Sequence, residues 1–152
     1  MSVNDFISFS IDRPMLERCF VQLDTMTEEK RIQVREAVAE SILIIESGAK
    51  RNAPVAGKGK FGGFLRARIF SQLKADGFGG RVWDAVPYAP YQEFGTGLMV
   101  DVPAGWENFA IQFKGKGIRQ VNIRATHFLL YAWEMEMQNF QRKIKTIFGI
   151  IS

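Results

Sequence analysis

The chain has 152 residues, of which 47% are hydrophobic and 24% charged, and its formal net charge is +4. This length predicts a single domain over residues 1–152 with a sizeable core. Cys19 is the only cysteine, so no disulfide within the chain is available and no oxidising compartment is needed. The first residues show no secretory leader, and no apolar run is long enough to cross a bilayer. The mildly basic balance permits contact with nucleic acid or an acidic protein surface without requiring it.

Residues 1–25 predict a short strand and a short helix, which together would form an extra N-terminal arm. Residues 6–11 are rich in β-forming side chains, which is typical of an edge strand or an arm. Pro14 suits the first turn of a helix, which we expect to end near Asp24.

Residues 26–52 predict a long helix. Thr25 and Glu28 have the spacing of a capping box at its start. Pro54 marks its end, because the residue before a proline avoids the helical conformation. The predicted buried face repeats at steps of three and four residues and consists of Val34, Val38, Ile42, Ile45 and Ala49.

The middle of the chain predicts β-structure. Residues 57–63 are a glycine-rich loop. A hairpin follows, with strands at 69–75 and 81–86 joined by a turn at 76–80. Further short strands are predicted at 98–102, 110–113 and 118–123.

The last segment predicts a helix that runs to residue 147 and is ended by Gly149. Glu134 and Glu136 belong to its predicted outer face. Its inner face consists of Leu129, Trp133, Met137, Phe140, Ile144 and Ile147. The order of helices, strands and a final helix predicts an α+β fold. We expect an antiparallel β-sheet with the long helix of the N-terminal half and the C-terminal helix packed on one face.

The segment that begins at Tyr88 predicts a short helix followed by a tight glycine turn. Tyr88, Tyr91 and Phe94 follow one another at steps of three, close to one face of a helical turn. Glu93 falls off that face. Gly95 ends the helix, since glycine adopts positive φ at little cost. The segment carries no catalytic set and indicates a device for shape and contact.

Side chains suited to catalysis are few. His127 is the only histidine, so a catalytic triad or a zinc site would lack the further side chains that it needs. We interpret His127 as a helix-start or surface residue. Residues 57–60 lack the spacing of a P-loop. Asp84, Glu93 and Asp101 would act together only if the fold set their separation, and Glu93 more simply pairs with an arginine of this chain or of a neighbouring subunit. We expect no enzyme activity, no metal and no cofactor.

Two basic stretches offer positive charge for phosphates or for salt bridges between proteins. No base-reading motif accompanies them, which favours solvated faces or salt bridges. A nucleic-acid-binding module that uses these basic loops is kept as the alternative function. The residues concerned are Lys58, Lys60, Arg66, Arg68, Lys114 and Lys116.

Four blocks follow one another along the chain. They are Ala-Pro-Val at 53–55, Gly-Gly-Phe-Leu-Arg-Ala-Arg-Ile at 62–69, Tyr-Ala-Pro-Tyr-Gln-Glu-Phe-Gly-Thr-Gly at 88–97 and Thr-His-Phe-Leu at 126–129. In this order they resemble the head–tail joining (tail-completion, neck) proteins of tailed bacteriophages. The block at 88–97 is the most specific of the four, and the resemblance covers about residues 30 to 147.

The resemblance implies a structural role in the virion neck, where the tail joins the DNA-filled head. It implies assembly into a ring with copies of itself, contact with neighbouring head-completion and tail proteins, and residence in the host cytoplasm during assembly. Contact with packaged DNA is left open. We hypothesise that the aromatic turn is the interface. Tyr88, Tyr91 and Phe94 would anchor it, Gly95, Thr96 and Gly97 would present backbone groups to a neighbour, and Glu93 is a further interface residue.

Overall fold

A computed structural model describes residues 7–19, 25–55, 63–107 and 124–149. The strands in these ranges are β1 (Ile7–Ile11), β2 (Ile69–Leu73) and β3 (Gly80–Asp84). A 3-10 turn lies at Gly97–Met99. The α-helices in the same ranges are α1 (Arg13–Cys19), α2 (Glu28–Asn52), α3 (Phe64–Ala67), α4 (Ala89–Phe94) and α5 (Phe128–Ile147).

The three strands form an antiparallel sheet in the order β1-β3-β2. The hairpin predicted from residues 69–86 is therefore confirmed, and β1 is an edge strand of the same sheet. Buried Ile7, Phe9 and Ile11 make β1 part of the core. The centre strand ends at Asp84, which lies opposite Ile7 on one side and Ile69 on the other.

The two long helices pack against this sheet, which confirms the predicted α+β class. α2 lies on β2 and β3, and α5 runs along α2. The predicted inner face of α2 is buried throughout. The helices come close where Gly48 meets Ala132, since a Cβ built on Gly48 would lie 3.2 Å from the Ala132 Cβ. Trp133 packs α5 against β1, and its ring centroid lies 5.6 Å from that of Phe9.

One polar cluster interrupts the seam between α2 and α5. The Ser41 hydroxyl donates to the Glu136 carboxylate at 2.6 Å, and the Lys143 Nζ lies 3.3 Å from the same Glu136 oxygen. The prediction that Glu136 faces outward is wrong, because its side chain is only 2% exposed. A buried carboxylate is tolerated here because a hydroxyl and an ammonium group both face it.

The helix ends follow the predicted signals with one shift. α2 begins after Thr27, whose Oγ1 accepts the Lys30 N–H at 3.3 Å, so the capping box predicted at Thr25 is wrong. Pro54 and Gly149 follow the ends of α2 and α5 as predicted. The predicted end of the first short helix near Asp24 lies outside the described residues.

The strand predicted at 98–102 is wrong. Its first residues form the 3-10 turn, and the Asp101 N–H donates to the Phe94 carbonyl at 2.8 Å. This contact closes the chain back on α4, so the segment joins no strand of the described sheet. The strands predicted at 110–113 and 118–123 and most of the loop predicted at 57–63 lie outside the described residues. None of the described helices combines the length and apolar character that crossing a bilayer requires.

Candidate functional site

α4 is a short helix whose two ends are set by its own sequence. Pro90 lies in its first turn, where a missing N–H costs nothing. Gly95 follows the last helical residue with φ of 78° and ψ of 179°, a conformation open almost only to glycine. The Phe94 side chain is 3% exposed and fastens the helix to the core.

Glu93 connects α4 to the start of α5. Its side chain is fully buried, and its two carboxylate oxygens accept the backbone N–H groups of Leu129 and Leu130 at 3.0 and 2.9 Å. These N–H groups belong to the first turn of α5, where no earlier carbonyl of the helix is available to them. The carboxylate also lies at the positive end of the helix dipole. The predicted pairing of Glu93 with an arginine is therefore wrong, because both oxygens cap a helix.

Backbone contacts strengthen this connection. The Gln92 carbonyl accepts both the Thr126 N–H at 2.9 Å and the Thr126 hydroxyl at 2.7 Å. The Glu93 carbonyl accepts the His127 N–H at 3.1 Å. α4 and the chain entering α5 are thus held together by main-chain and side-chain bonds, and we call this region the α4–α5 junction.

His127 stands at the N-cap position of α5 in the left-handed conformation, with φ of 47°. It is the one non-glycine residue with positive φ in the described ranges. Its side chain is 3% exposed, so the helix-start interpretation is confirmed and the surface interpretation is wrong. Nε2 lies 3.0 Å from the Asp101 Oδ2, whereas Nδ1 has no hydrogen-bond partner among the described residues.

Asp84, the last residue of β3, is a second buried carboxyl. Its Oδ1 accepts the Val86 N–H at 2.9 Å, and its Oδ2 has no hydrogen-bond partner among the described residues. Burial raises the pKa of Asp84 to about 7, the Val86 N–H and Arg68 oppose that rise, and the charge of Glu93 adds to it. Of the three carboxylates considered from the sequence, the fold buries Asp84 and Glu93 and leaves Asp101 exposed.

The pKa of Glu93 is also raised to about 7, chiefly because the side chain is buried. The N–H groups of Leu129 and Leu130 and the neighbouring His127 act in the opposite direction. The Asp101 side chain is 70% exposed, and its Oδ2 contacts the junction at His127. Across the described residues, no group of three or more histidine, cysteine or acidic side chains is placed to hold a metal ion.

The predicted interface divides into a buried and an exposed part. Glu93, Phe94 and Gly95 are buried and support the turn from inside, so they are not available to a neighbour in this conformation. Tyr88 is 39% exposed, and Tyr91 and Thr96 are partly exposed. Gly97 is followed directly by three exposed apolar residues.

Three consecutive apolar side chains follow the turn, and we call them the apolar tip: Leu98, Met99 and Val100. They are 94%, 49% and 47% exposed. The sequence interpretation missed them because an apolar run after a glycine turn also matches a strand. Beside the tip, a groove of about 600 Å³ is lined by Met99, Val100, Asp101, Arg124, Thr126 and Tyr131.

The candidate basic residues are only partly within the described ranges. Arg66 is exposed and donates to the Ala53 carbonyl at 3.4 Å. Arg68 is exposed, and its guanidinium lies 5.2 Å from the Phe64 ring centroid. The other four, Lys58, Lys60, Lys114 and Lys116, lie outside the described residues.

Comparison of the chain with protein-family models, with curated proteins and with solved structures finds no significant match.

Proposed function

We propose that this chain is a structural subunit of the head–tail joint of a tailed phage or a prophage-derived particle. In this proposal it works through contacts with copies of itself and with neighbouring neck proteins, and it catalyses no reaction. The observation that carries the proposal is the apolar tip, presented by a turn that Glu93 fastens to α5. The resemblance of residues 88–97 to the neck-protein pattern supports the same role.

The apolar tip has the properties of a contact surface. Exposed apolar side chains that adjoin one another are typical of sites where proteins meet. The tip is held from both sides, because the Asp101 N–H closes the turn on Phe94 and the Glu93 carboxylate ties α4 to α5. A surface that is ordered before binding loses little conformational freedom on contact, which favours association.

A subunit that meets its neighbour with two different surfaces forms a ring when the rotation between subunits closes. The apolar tip is proposed as one of these surfaces, with Tyr88, Tyr91 and Thr96 beside it. The proposed location is the virion neck after assembly in the host cytoplasm.

The test replaces Leu98, the most exposed residue of the tip, with aspartate. Leu43→Asp on α2 is the matched control, since Leu43 is also an exposed leucine, at 62%. We expect Leu98→Asp to abolish both ring formation, seen by mass photometry and electron microscopy, and rescue of a particle that lacks this protein. Leu43→Asp should assemble and rescue as the wild type does.

Two outcomes would overturn the proposal. One is full rescue by Leu98→Asp, and the other is a wild-type protein that stays monomeric and is missing from purified particles. Retention on DNA that falls steeply with salt, and is lost in an Arg66→Gln, Arg68→Gln double variant, would instead support the nucleic-acid-binding alternative.

A further inference from the structure

The apolar tip is followed directly by Asp101, which is bonded through both its main chain and its side chain. Its N–H donates to the Phe94 carbonyl at 2.8 Å, and its Oδ2 lies 3.0 Å from the His127 Nε2. The first bond returns the chain to the end of α4. The second joins the end of the tip to the residue that precedes α5, so a different element of the fold holds it.

His127 offers a fixed position for that second bond. Its side chain is 3% exposed, and its ring centroid lies 6.2 Å from that of Phe94 and 5.2 Å from that of Tyr131. Its N–H donates to the Glu93 carbonyl at 3.1 Å. The Asp101 side chain is 70% exposed, and the bond to a buried ring is therefore what orients it.

The backbone of His127 has a conformation that favours glycine. Its φ of 47° and ψ of 38° lie in the left-handed region, where other residues are uncommon. A glycine would adopt this conformation at less cost, but it would bring no imidazole to Asp101. Because the surrounding contacts must hold a residue in such a conformation, the imidazole is what distinguishes this position from an ordinary glycine turn.

The chemistry of the bond determines where its proton lies. A carboxylate only accepts hydrogen bonds, so Nε2 of His127 is the donor to Oδ2 of Asp101. In a neutral imidazole the other nitrogen then carries the lone pair, and Nδ1 has no hydrogen-bond partner among the described residues. The bond thus requires a ring that is protonated on Nε2.

We propose that His127 is the positioning residue of the apolar tip. Its Nε2–H holds the Asp101 carboxylate, and this bond keeps the tip in one exposed arrangement beside the groove that both residues line. The benefit of that arrangement for assembly rests on the proposed neck function, since a surface with one arrangement loses less freedom on contact. The bond itself lies within one chain.

The first test measures amide hydrogen exchange by NMR at Met99 and at residue 101, whose N–H groups donate to carbonyls of the turn. The parent protein carries Leu98→Asp, so that contact between copies does not protect these amides. Asp101→Ala in this parent removes the acceptor for Nε2 of His127. We expect both amides to exchange about tenfold faster, after correction for the intrinsic exchange rate.

Two further variants serve as rescue and control. Asp101→Asn keeps an oxygen acceptor for Nε2, so its amides should exchange less than about threefold faster than those of the parent. Glu134→Ala removes an exposed acid of α5 that has no bond to the tip, and it should leave the exchange of both amides unchanged.

A second readout separates positioning from a general loss of stability. The ¹⁵N chemical shifts of the His127 ring report which nitrogen carries the proton, and we expect the proton on Nε2. His127→Gly suits the left-handed backbone and removes the imidazole, so tip exchange should rise. Adding Asp101→Ala to His127→Gly should then change exchange by less than about twofold, because the partner of Asp101 is already absent.

Three results would overturn the positioning role. They are a His127 ring protonated on Nδ1 alone, tip exchange in Asp101→Ala equal to that of the parent, and equal acceleration in Asp101→Ala and Asp101→Asn. All variants share Leu98→Asp, so the comparison holds whether or not that change disrupts assembly. A failed positioning role leaves the assembly result standing, and a failed assembly test leaves the bond to be judged by exchange and ring protonation.

Discussion

The two long helices begin in different ways. α2 begins at Thr27, an extended residue whose own hydroxyl accepts the Lys30 N–H, and Glu28 and Glu29 lie in its first turn. α5 begins at His127, which is left-handed, makes no side-chain cap and is followed by no acidic residue in the first turn. Two N–H groups in the first turn of α5, those of Leu129 and Leu130, donate to Glu93, which lies 36 residues before Leu129.

The difference shows how a helix start becomes coupled to the rest of a fold. The cap of α2 forms from neighbours in sequence and remains available whenever the local chain is helical. The cap of α5 exists only while α4 is docked on the core through Phe94 and the main-chain bonds to Thr126 and His127. Undocking α4 thus removes the cap of α5, which makes the two elements cooperative.

The largest expected effect is on the distant cap. Glu93→Ala leaves the buried N–H groups of Leu129 and Leu130 without acceptors, and we expect it to lower the free energy of unfolding by about 2–5 kcal/mol. Urea unfolding of the wild type and the variant at the same pH measures this. The control Glu134→Ala removes an exposed acid of α5 and should change stability by less than about 0.5 kcal/mol. Equal effects of the two variants would contradict the distant cap.

A smaller effect is expected at the glycine that holds the turn beneath the cap. Gly95→Ala places a side chain at φ of 78° and ψ of 179°, and we expect a loss of about 1–3 kcal/mol. Amide exchange at Leu129 and Leu130 should speed up in the same variant, because the backbone that carries Glu93 is displaced. Gly149→Ala is the control, since its positive φ of 65° lies beyond the end of α5. It should leave the exchange of these two amides unchanged.

The smallest effect is expected at the local cap. Thr27→Ala should cost about 1 kcal/mol in thermal or urea unfolding, and Thr27→Ser should restore most of it. Neither variant should alter amide exchange at the start of α5, because α2 and α5 begin independently. A loss at Thr27 as large as that at Glu93 would remove the distinction between the two helix starts.

The parts of the fold that follow from local pattern were predictable. The inner face of α2, the hairpin of β2 and β3 and the extent of α5 each repeat with the period of their element, and each is confirmed. Periodicity and stop signals such as Pro54 act over a few residues, so a sequence shows them directly.

The contacts of single polar residues were less predictable. Glu136 has the spacing of an outer-face residue, yet it is buried in the seam between α2 and α5, where the Ser41 hydroxyl and the Lys143 ammonium group contact its carboxylate. Glu93 has no local sequence feature that marks it as the cap of a helix 36 residues further on. The sequence of the apolar tip matched a strand pattern. In the structure the Asp101 N–H bonds to the Phe94 carbonyl, and the tip lies in an exposed turn instead.

The sequence by itself determined the two long helices, the hairpin and the α+β class, because those depend on repeating apolar positions and on local stop signals. Only the tertiary structure decided that Asp84 and Glu93 are buried, that a distant carboxylate caps the start of α5 and that the apolar tip is exposed. The physical reason is that burial and partnership of a polar group depend on which elements meet around it. Which elements surround a polar group depends on packing between segments that are far apart in the chain.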